Sequence, residues 1–175
     1  SWSPATGLSS TTGATVTANP SSTMTYTVVG TNANGCSNSA VVTVTVNPLP
    51  NVNITANNDS ICLGQSTTLT ASGANIYAWS PSTGLSSTTG STVTASPTTT
   101  TTYTVTGTNG VNCQDTATVT IYVLPLPNVT ATSTPAAICI GGSATLTATG
   151  GVSYTWSPAT GLSSTTGSPV TATPT

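Results

Sequence analysis

Very few side chains in this sequence could carry reaction chemistry. The chain of 175 residues contains no lysine, arginine or histidine. Its reactive groups are four thiols and two carboxylates, which belong to Cys36, Cys62, Cys113, Cys139, Asp59 and Asp115. A hydroxyl or thiol nucleophile needs a base beside it, and acid–base catalysis needs a titratable group close to the reactant. Two isolated aspartates do not meet these needs, so we expect no catalytic residue, no cofactor and no enzyme activity.

The lack of basic residues also limits the partners. Nucleic-acid binding depends on lysine and arginine at the phosphates, so no nucleic-acid partner is expected. No stretch approaches the roughly 18 apolar residues that span a bilayer, so no membrane insertion is expected. Disorder usually accompanies low hydrophobicity and high net charge, whereas this chain is 35% hydrophobic with a net charge of −2. The composition therefore favours a folded chain.

The sequence repeats itself every 77 residues. Trp2, Trp79 and Trp156 each begin the same twelve-residue segment, Trp-Ser-Pro-Ala/Ser-Thr-Gly-Leu-Ser-Ser-Thr-Thr-Gly. The cysteines follow the same offset, from Cys36 to Cys113 and from Cys62 to Cys139. A fixed period of this length indicates tandem copies of a small, independently folded module.

Proline-rich segments mark the module boundaries. Pro48-Leu-Pro50 recurs at positions 125–127, and two prolines in three residues cannot continue a strand ladder. We therefore divide the chain into the C-terminal part of one module (1–47), a complete module (48–124) and the N-terminal part of the next (125–175). Short stiff linkers of this kind favour an extended rod.

The local patterns indicate strands. Ala40, Val42, Val44 and Val46 alternate with polar residues, which is typical of a half-buried strand. Residues 14–18 also read as a strand. The β-branched residues threonine and valine are abundant, and turn signals separate about seven short strands in the complete module. The predicted fold class is all-β, with each module a β-sandwich.

Two cysteines per repeat predict a disulfide. If the strands alternate strictly in direction, the corner after the first strand and the turn before the last lie at the same end. Cys62 and Cys113 would then bridge within a module, and Cys36 and Cys139 would pair with cysteines outside the sequence. Free or metal-binding thiols, and direct Cys36–Cys62 or Cys113–Cys139 links, are the alternatives. Without histidine the thiols make a poor zinc site, so no metal is expected.

The aromatic residues of the complete module are expected to form its core. Trp79 and Tyr77 share one face of a strand, and Tyr103 would face them, as in small sandwiches. The alternative is a carbohydrate-stacking platform with the loop at 80–90 as contact. A remote alternative is ice binding by the threonine run at 98–102.

The two aspartates share a local pattern. Asp59-Ser60-Ile61 and Asp115-Thr116-Ala117 each place a hydroxyl and an apolar residue after the carboxylate. The pattern resembles the O-glycosylation acceptor motif of Bacteroidota, which makes Ser60 and Thr116 the expected acceptors, both near the end that carries the cysteines. The alternative is a weak Ca²⁺ site made by the two carboxylates, although calcium usually needs six or more oxygen ligands.

Several motifs together resemble a known family. Trp-Ser-Pro-Ala-Thr-Gly-Leu-Ser, a threonine run ending in Tyr-Thr-Val, Asn-Gly-x-x-Cys and Val-x-Pro-Leu-Pro are similar to the immunoglobulin-like and PKD-like repeats of giant surface proteins of Bacteroidota. The near-absence of charge departs from typical members. The resemblance implies tandem immunoglobulin-like modules, export by the type IX system and an extracellular, cell-surface location.

The expected function is structural. We expect a non-catalytic, disulfide-stabilised repeat of an extracellular fibre or adhesin stalk. Its expected partners are neighbouring copies of the repeat, with lateral or end-to-end self-assembly and covalent glycans. A module that binds glycans or another partner is the alternative function.

Overall fold

The structure, a computed structural model, describes residues 1–174 and is built from β-strands. No helix occurs in that range, so it contains no helix able to cross a membrane. The contacts divide the chain into two units, Ser1–Val123 and Leu124–Thr175. The all-β class predicted from the sequence is confirmed.

The first 47 residues form a single three-stranded antiparallel sheet. Its strands are β1 (Trp2–Ser3), β2 (Met24–Thr31) and β3 (Ser37–Val44), in the order β1-β2-β3. Tyr26 is buried on this sheet, whereas Val41 and Val42 are exposed. The segment 14–18 does not form the predicted strand and contributes one isolated bridge, from Leu8 to Ala18.

Two sheets follow, and they share one core. Their strands are β4 (Asn53–Ala56), β5 (Ser60–Cys62), β6 (Thr67–Ser72), β7 (Ile76–Ser80), β8 (Thr92–Ala95), β9 (Thr101–Thr108) and β10 (Gln114–Leu124). One sheet has the order β4-β6-β8 and the other β5-β10-β9-β7. Leu69 and Val93 of the first sheet pack in the same buried cluster as Tyr103, Val105 and Ile121 of the second. This arrangement is consistent with the predicted β-sandwich.

Side-chain alternation explains why these segments are strands. In β9 the side chains of Tyr103 and Val105 are buried, and the alternating Thr102, Thr104 and Thr106 lie on the other face, where they are less buried. Outward threonines pair across the sheet, as Thr102 and Thr120 do with hydroxyl oxygens 2.8 Å apart. β-branched residues suit the pleated surface, and their hydroxyls keep it hydrated without charge.

The first and last strands of this region run in the same direction. β4 is antiparallel to β6, and the short turn 73–75 reverses the chain into β7. β7 is antiparallel to β9, and β9 to β10, so β10 has the direction of β4. β8 is antiparallel to β6 and therefore has the direction of β7. The chain returns between β7 and β8 through the loop 81–91, which forms only an isolated bridge to β7, from Thr89 to Ala78.

The second unit repeats the smaller sheet. Its strands β11 (Thr130–Thr134), β12 (Ala144–Thr149) and β13 (Val170–Ala172) form an antiparallel sheet in the order β11-β12-β13. They begin 77 residues after β4, β6 and, within one residue, β8. Ala144, Ala148 and Val170 are its buried apolar side chains.

Candidate functional site

All four cysteines are free thiols. Cys62 is the last residue of β5 and is exposed, while Cys113 is partly exposed and directly precedes β10. Cys36 and Cys139 are exposed. The predicted Cys62–Cys113 disulfide was therefore wrong, and neither alternative link is formed.

Strand direction keeps Cys62 and Cys113 apart. The carbonyl of Asp59, just before β5, accepts a 2.7 Å hydrogen bond from the amide of Tyr122, near the end of β10. Cys113 lies nine residues before Tyr122, which is about 30 Å of extended strand. Cys62 lies within about 11 Å of Asp59, and adjacent strands are about 5 Å apart, so the two cysteine Cα atoms are at least about 14 Å apart. A disulfide needs less than about 7 Å. The prediction assumed strict alternation, whereas β7 and β8 share a direction.

The turn that holds Cys113 is organised by Asn109. The Asn109 carboxamide oxygen accepts hydrogen bonds from the amides of Val111 (3.1 Å) and Cys113 (2.9 Å). The Asn109 amide donates to the Cys113 carbonyl at 3.0 Å, which closes the loop. Asn112 completes the turn with φ +63°, a conformation that asparagine tolerates better than most residues.

The same turn recurs 77 residues earlier around Asn32 and Cys36, with the Asn32 side-chain oxygen accepting from the amides of Asn34 and Cys36 at 3.0 Å each. The dipeptides Asn34-Gly35 and Asn109-Gly110 are turn signals in the sequence, but they do not indicate the role of the Asn32 and Asn109 side chains. The signal for that role is an asparagine four residues before each cysteine.

The Cys113 turn also contacts the proline linker. The side-chain amide of Asn109 donates to the Pro48 carbonyl at 3.1 Å. The Cys113 Sγ lies 4.0 Å from the Asn47 carbonyl oxygen. The linker and the turn before β10 are thus held together within the first unit.

Trp79 is part of the core and fastens the loop that follows it. Its side chain is 4% exposed, and its indole N–H donates to the Gly90 carbonyl at 2.9 Å. Its backbone amide donates to the Thr88 carbonyl at 2.8 Å. A ring held in this way does not present a face on which a sugar could stack.

Two tyrosines complete the core. Tyr103 is fully buried and donates its hydroxyl to the Thr83 carbonyl at 2.8 Å. Burial raises the pKa of the Tyr103 hydroxyl above its ordinary value. Tyr77 is 7% exposed, and its hydroxyl bonds both the amide and the carbonyl of Ala74 at 2.8 Å. Among residues 1–174, no buried side-chain nitrogen or oxygen lacks a hydrogen-bond partner.

Hydroxyls of the loop are used internally. The Ser87 Oγ donates to the Thr89 carbonyl at 2.9 Å and accepts from the Thr89 amide at 3.1 Å. The Ser86 Oγ accepts from the Thr94 amide at 2.9 Å. The loop at 80–90 is therefore a tied structure, and these serines stabilise it.

The two aspartates lie at different ends of β10. Asp59 lies beside Tyr122, and its carboxylate accepts a 3.2 Å hydrogen bond from the hydroxyl of exposed Ser60. Asp115 pairs with Gly107 near the start of β10, and Thr116 beside it is exposed. Ser60 and Thr116 are thus accessible hydroxyls, but the expectation that both lie at one end was wrong. Seven residues of strand, about 23 Å, separate Asp115 from Tyr122, too far for one shared calcium ion.

Other candidate sites find little support. Across the described residues, no three His, Cys, Asp or Glu side chains form a group that could hold a metal ion. In the threonine run, the Thr100 hydroxyl accepts from the Val123 amide at 3.1 Å and the Thr101 hydroxyl donates to the Thr99 carbonyl at 2.7 Å. With Thr102 bonded to Thr120, three of its five hydroxyls are occupied by the protein itself.

Comparisons with known proteins give no family. No protein-family model matches the chain, and no curated protein sequence matches it significantly.

Proposed function

We propose that the chain is a structural segment of an extracellular fibre or adhesin stalk, built from tandem immunoglobulin-like modules and without catalytic activity. One recurrent contact carries this proposal. The indole of Trp2, Trp79 and Trp156 donates to a glycine carbonyl eleven residues later, at 2.9, 2.9 and 2.7 Å. The most distinctive sequence motif of the chain is therefore devoted to fastening its own loop, and this is what a repeated building unit requires.

The partners in this proposal are further copies of the repeat. Copies joined end to end through Pro-Leu-Pro linkers would form an extended rod, because proline-rich linkers are stiff. Export by the type IX system and a cell-surface location accompany the resemblance described above. Low net charge favours lateral association of such rods, since little repulsion opposes it.

Electron microscopy of the native assembly tests the proposal. The eleven residues of β10 followed by a proline linker predict an axial period of about 45 Å. Filaments with that period would support the stalk. Isolated globular particles in the native material would contradict it.

Glycosylation of the fibre forms a separate part of the proposal. Ser60 and Thr116 are exposed hydroxyls that follow an aspartate, so glycans at these positions would not disturb the core. Intact mass and peptide mapping of the native protein should show added sugar at both residues. Unmodified native peptides at both positions would end this part while leaving the stalk untouched.

Glycan binding by the loop at 80–90 is the competing function. The structure gives little support to glycan binding, because the Trp79 ring is buried. The Ser87 hydroxyl is bonded within the loop and the Ser86 hydroxyl to the Thr94 amide. Robust glycan binding by the chain, lost in Trp79→Phe without loss of folding, would favour it over the stalk.

A further inference from the structure

We propose that successive copies of the repeat are joined by a disulfide between the cysteine at the Cys113 position of one copy and the cysteine at the Cys62 position of the copy before it. This cross-link differs from pairing within a copy, which the strand directions exclude. The proposed cross-link deepens the stalk function. It rests on that function only because an extracellular location supplies the oxidising conditions in which a disulfide forms. The pairing itself follows from the geometry of the first unit and the 77-residue repeat.

Cys62 lies where a copy ends. β10 continues as a strand to Leu124, three residues past its last partner in β9, and its neighbour on the other side is β5. β5 follows β4 after only three residues, and β4 has the direction of β10, so β5 and β10 advance together toward that end. Ile61 is buried and Val123 packs against the same core, so their outward neighbours Cys62 and Leu124 lie side by side. Adjacent strands are about 4.8 Å apart, and both of these residues are exposed.

Cys113 lies where a copy begins. Its turn is fastened to the linker by the 3.1 Å hydrogen bond from Asn109 to the Pro48 carbonyl. Its amide is fixed by the Asn109 side chain at 2.9 Å. These bonds hold the Cys113 Sγ at 4.0 Å from the Asn47 carbonyl oxygen.

The repeat brings these two observations to one place. Asn47 is the residue that corresponds to Leu124 at the 77-residue offset. A Cys62 copy therefore lies beside the residue that Cys113 contacts, so the repeat brings the two thiols to the same place, as a disulfide with Cα atoms about 4.4–6.8 Å apart requires. The cysteine that corresponds to Cys62 in the preceding copy lies 77 residues before Cys62, ahead of Ser1. The proposed partner of Cys113 is therefore outside these 175 residues.

The oxidation is ordinary thiol–disulfide exchange. Each cysteine gives up its proton, and the two sulfurs together give up two electrons as the S–S bond forms. A small-molecule or protein disulfide accepts the electrons and protons, and its own S–S bond breaks into two thiols. Oxidised glutathione supplies this acceptor in the experiment.

The test completes the first copy. Residues 48–77 are placed directly before Ser1, which corresponds to Ala78 in the repeat, so the added segment continues the period. Cys62→Ser and Cys139→Ser in the original chain remove two exposed thiols and leave the added cysteine, Cys36 and Cys113. After equilibration with a glutathione redox buffer, we expect the added cysteine to be bonded to Cys113 and Cys36 to remain free.

Mass spectrometry distinguishes the outcomes. Trypsin cannot cut the chain, which contains no lysine or arginine, so the peptides are made with pepsin. The low pH of a pepsin digest also suppresses thiol–disulfide exchange, because the thiolate is the attacking species. The free-thiol count should fall from three to one, with loss of two hydrogens from the intact mass. Cys36→Ser should keep the bond, whereas Cys113→Ser should abolish it and leave two free thiols.

Two results would overturn the proposal. One is a bond from the added cysteine to Cys36, which occupies the Cys113 position of the same copy. The other is three free thiols in a chain whose circular dichroism shows it to be folded. The test is independent of the imaging, since the bond can form in chains that make no filament, and filaments without the bond would leave the stalk proposal standing.

Discussion

At the scale of single residues, the tryptophan contact shows how a nearly uncharged chain specifies a core. The Trp79 ring supplies a large buried apolar surface, and its one polar atom has a partner in the Gly90 carbonyl. Loss of the buried ring removes apolar surface from the core, which lowers the free energy of unfolding. Loss of the hydrogen bond also lowers it, because a buried polar group without a partner is unfavourable. Leu85 of the loop packs against the same core, so the loop is held by both an apolar side chain and the indole hydrogen bond.

Trp79→Ala should lower the free energy of unfolding of its region by about 3–5 kcal/mol, as expected for removal of a buried aromatic side chain. The matched control is Trp2→Ala. Trp2 makes the equivalent hydrogen bond but is only partly buried, so its removal should cost less. Denaturant titrations followed by circular dichroism measure both, and equal losses would show that burial does not set the difference.

Tyr103 predicts a dependence of stability on alkaline pH. Burial raises the pKa of its hydroxyl in the folded state, so the folded chain holds this proton more tightly than the unfolded chain does. Its contribution is fully present below the ordinary tyrosine pKa of about 10 and is lost as the pH rises through the higher folded-state pKa.

Thermal melts at increasing pH, compared between the native chain and Tyr103→Phe, isolate this contribution. Near neutral pH the variant should be less stable by about 1 kcal/mol, because the hydrogen bond to the Thr83 carbonyl is lost. Above pH ~10 the gap between the two chains should narrow. A gap that stays constant across the alkaline range would contradict the prediction.

At the scale of elements, the turn between β6 and β7 determines where the first strand can lie. Gly73 has φ +94°, and a Cβ there would collide with the carbonyl oxygen of Asn51. This close approach allows the segment that leads into β4 to pass directly over the turn. Val52 next to it packs beneath Gly107, where a side chain would also collide.

Gly73→Ala should therefore destabilise the chain by about 3–5 kcal/mol, combining a left-handed backbone with a steric clash. Gly64→Ala is the matched control, since Gly64 has φ +88° but open space around its Cβ position. It should cost only the backbone term of about 1–2 kcal/mol. Similar losses for both variants in denaturant titrations would rule out the clash.

The Asn109 turn can be separated from its link to Pro48. Asn109→Asp keeps the side-chain oxygen that accepts from Val111 and Cys113 but loses the donor to the Pro48 carbonyl, whereas Asn109→Ala loses both. Amide exchange at Cys113 should stay slow in Asn109→Asp and become faster in Asn109→Ala, which should also lose about 1–2 kcal/mol. Fast exchange in both would show that the linker bond holds the turn.

The sequence predicted elements better than their directions. Alternation of apolar residues from Ala40 to Val46 predicted a strand that β3 largely covers, because the period of two is local and strongly marked. The prediction of the Cys62–Cys113 disulfide was wrong because it assumed that strand direction reverses across the loop at 80–90. The chain returns through that loop, so β7 and β8 run in the same direction. The division of the first strand into β4 and β5, each in a different sheet, is set by tertiary pairing and leaves no local signature in residues 57–59.

At the scale of the whole molecule, the lack of basic side chains makes stability insensitive to salt. Lysine, arginine and histidine are absent, so side-chain ion pairs cannot form and screening has little to weaken. The free energy of unfolding should change by less than about 0.5 kcal/mol between roughly 0.05 and 0.5 M sodium chloride. Denaturant titrations at the two salt concentrations measure this, and a larger loss at high salt would reveal electrostatic stabilisation that the composition does not explain.

The common direction of β5 and β10 has a mechanical consequence. In a copy pulled by its neighbours, tension enters ahead of β4 and leaves after Leu124, at opposite ends of the strands. The load then slides β5 along β10 and strains the hydrogen bonds between them together, rather than peeling them apart one at a time. Resistance to such a load is governed by the rate of unfolding and not by equilibrium stability. The strand pair that separates Cys62 from Cys113 would thus bear tension in shear.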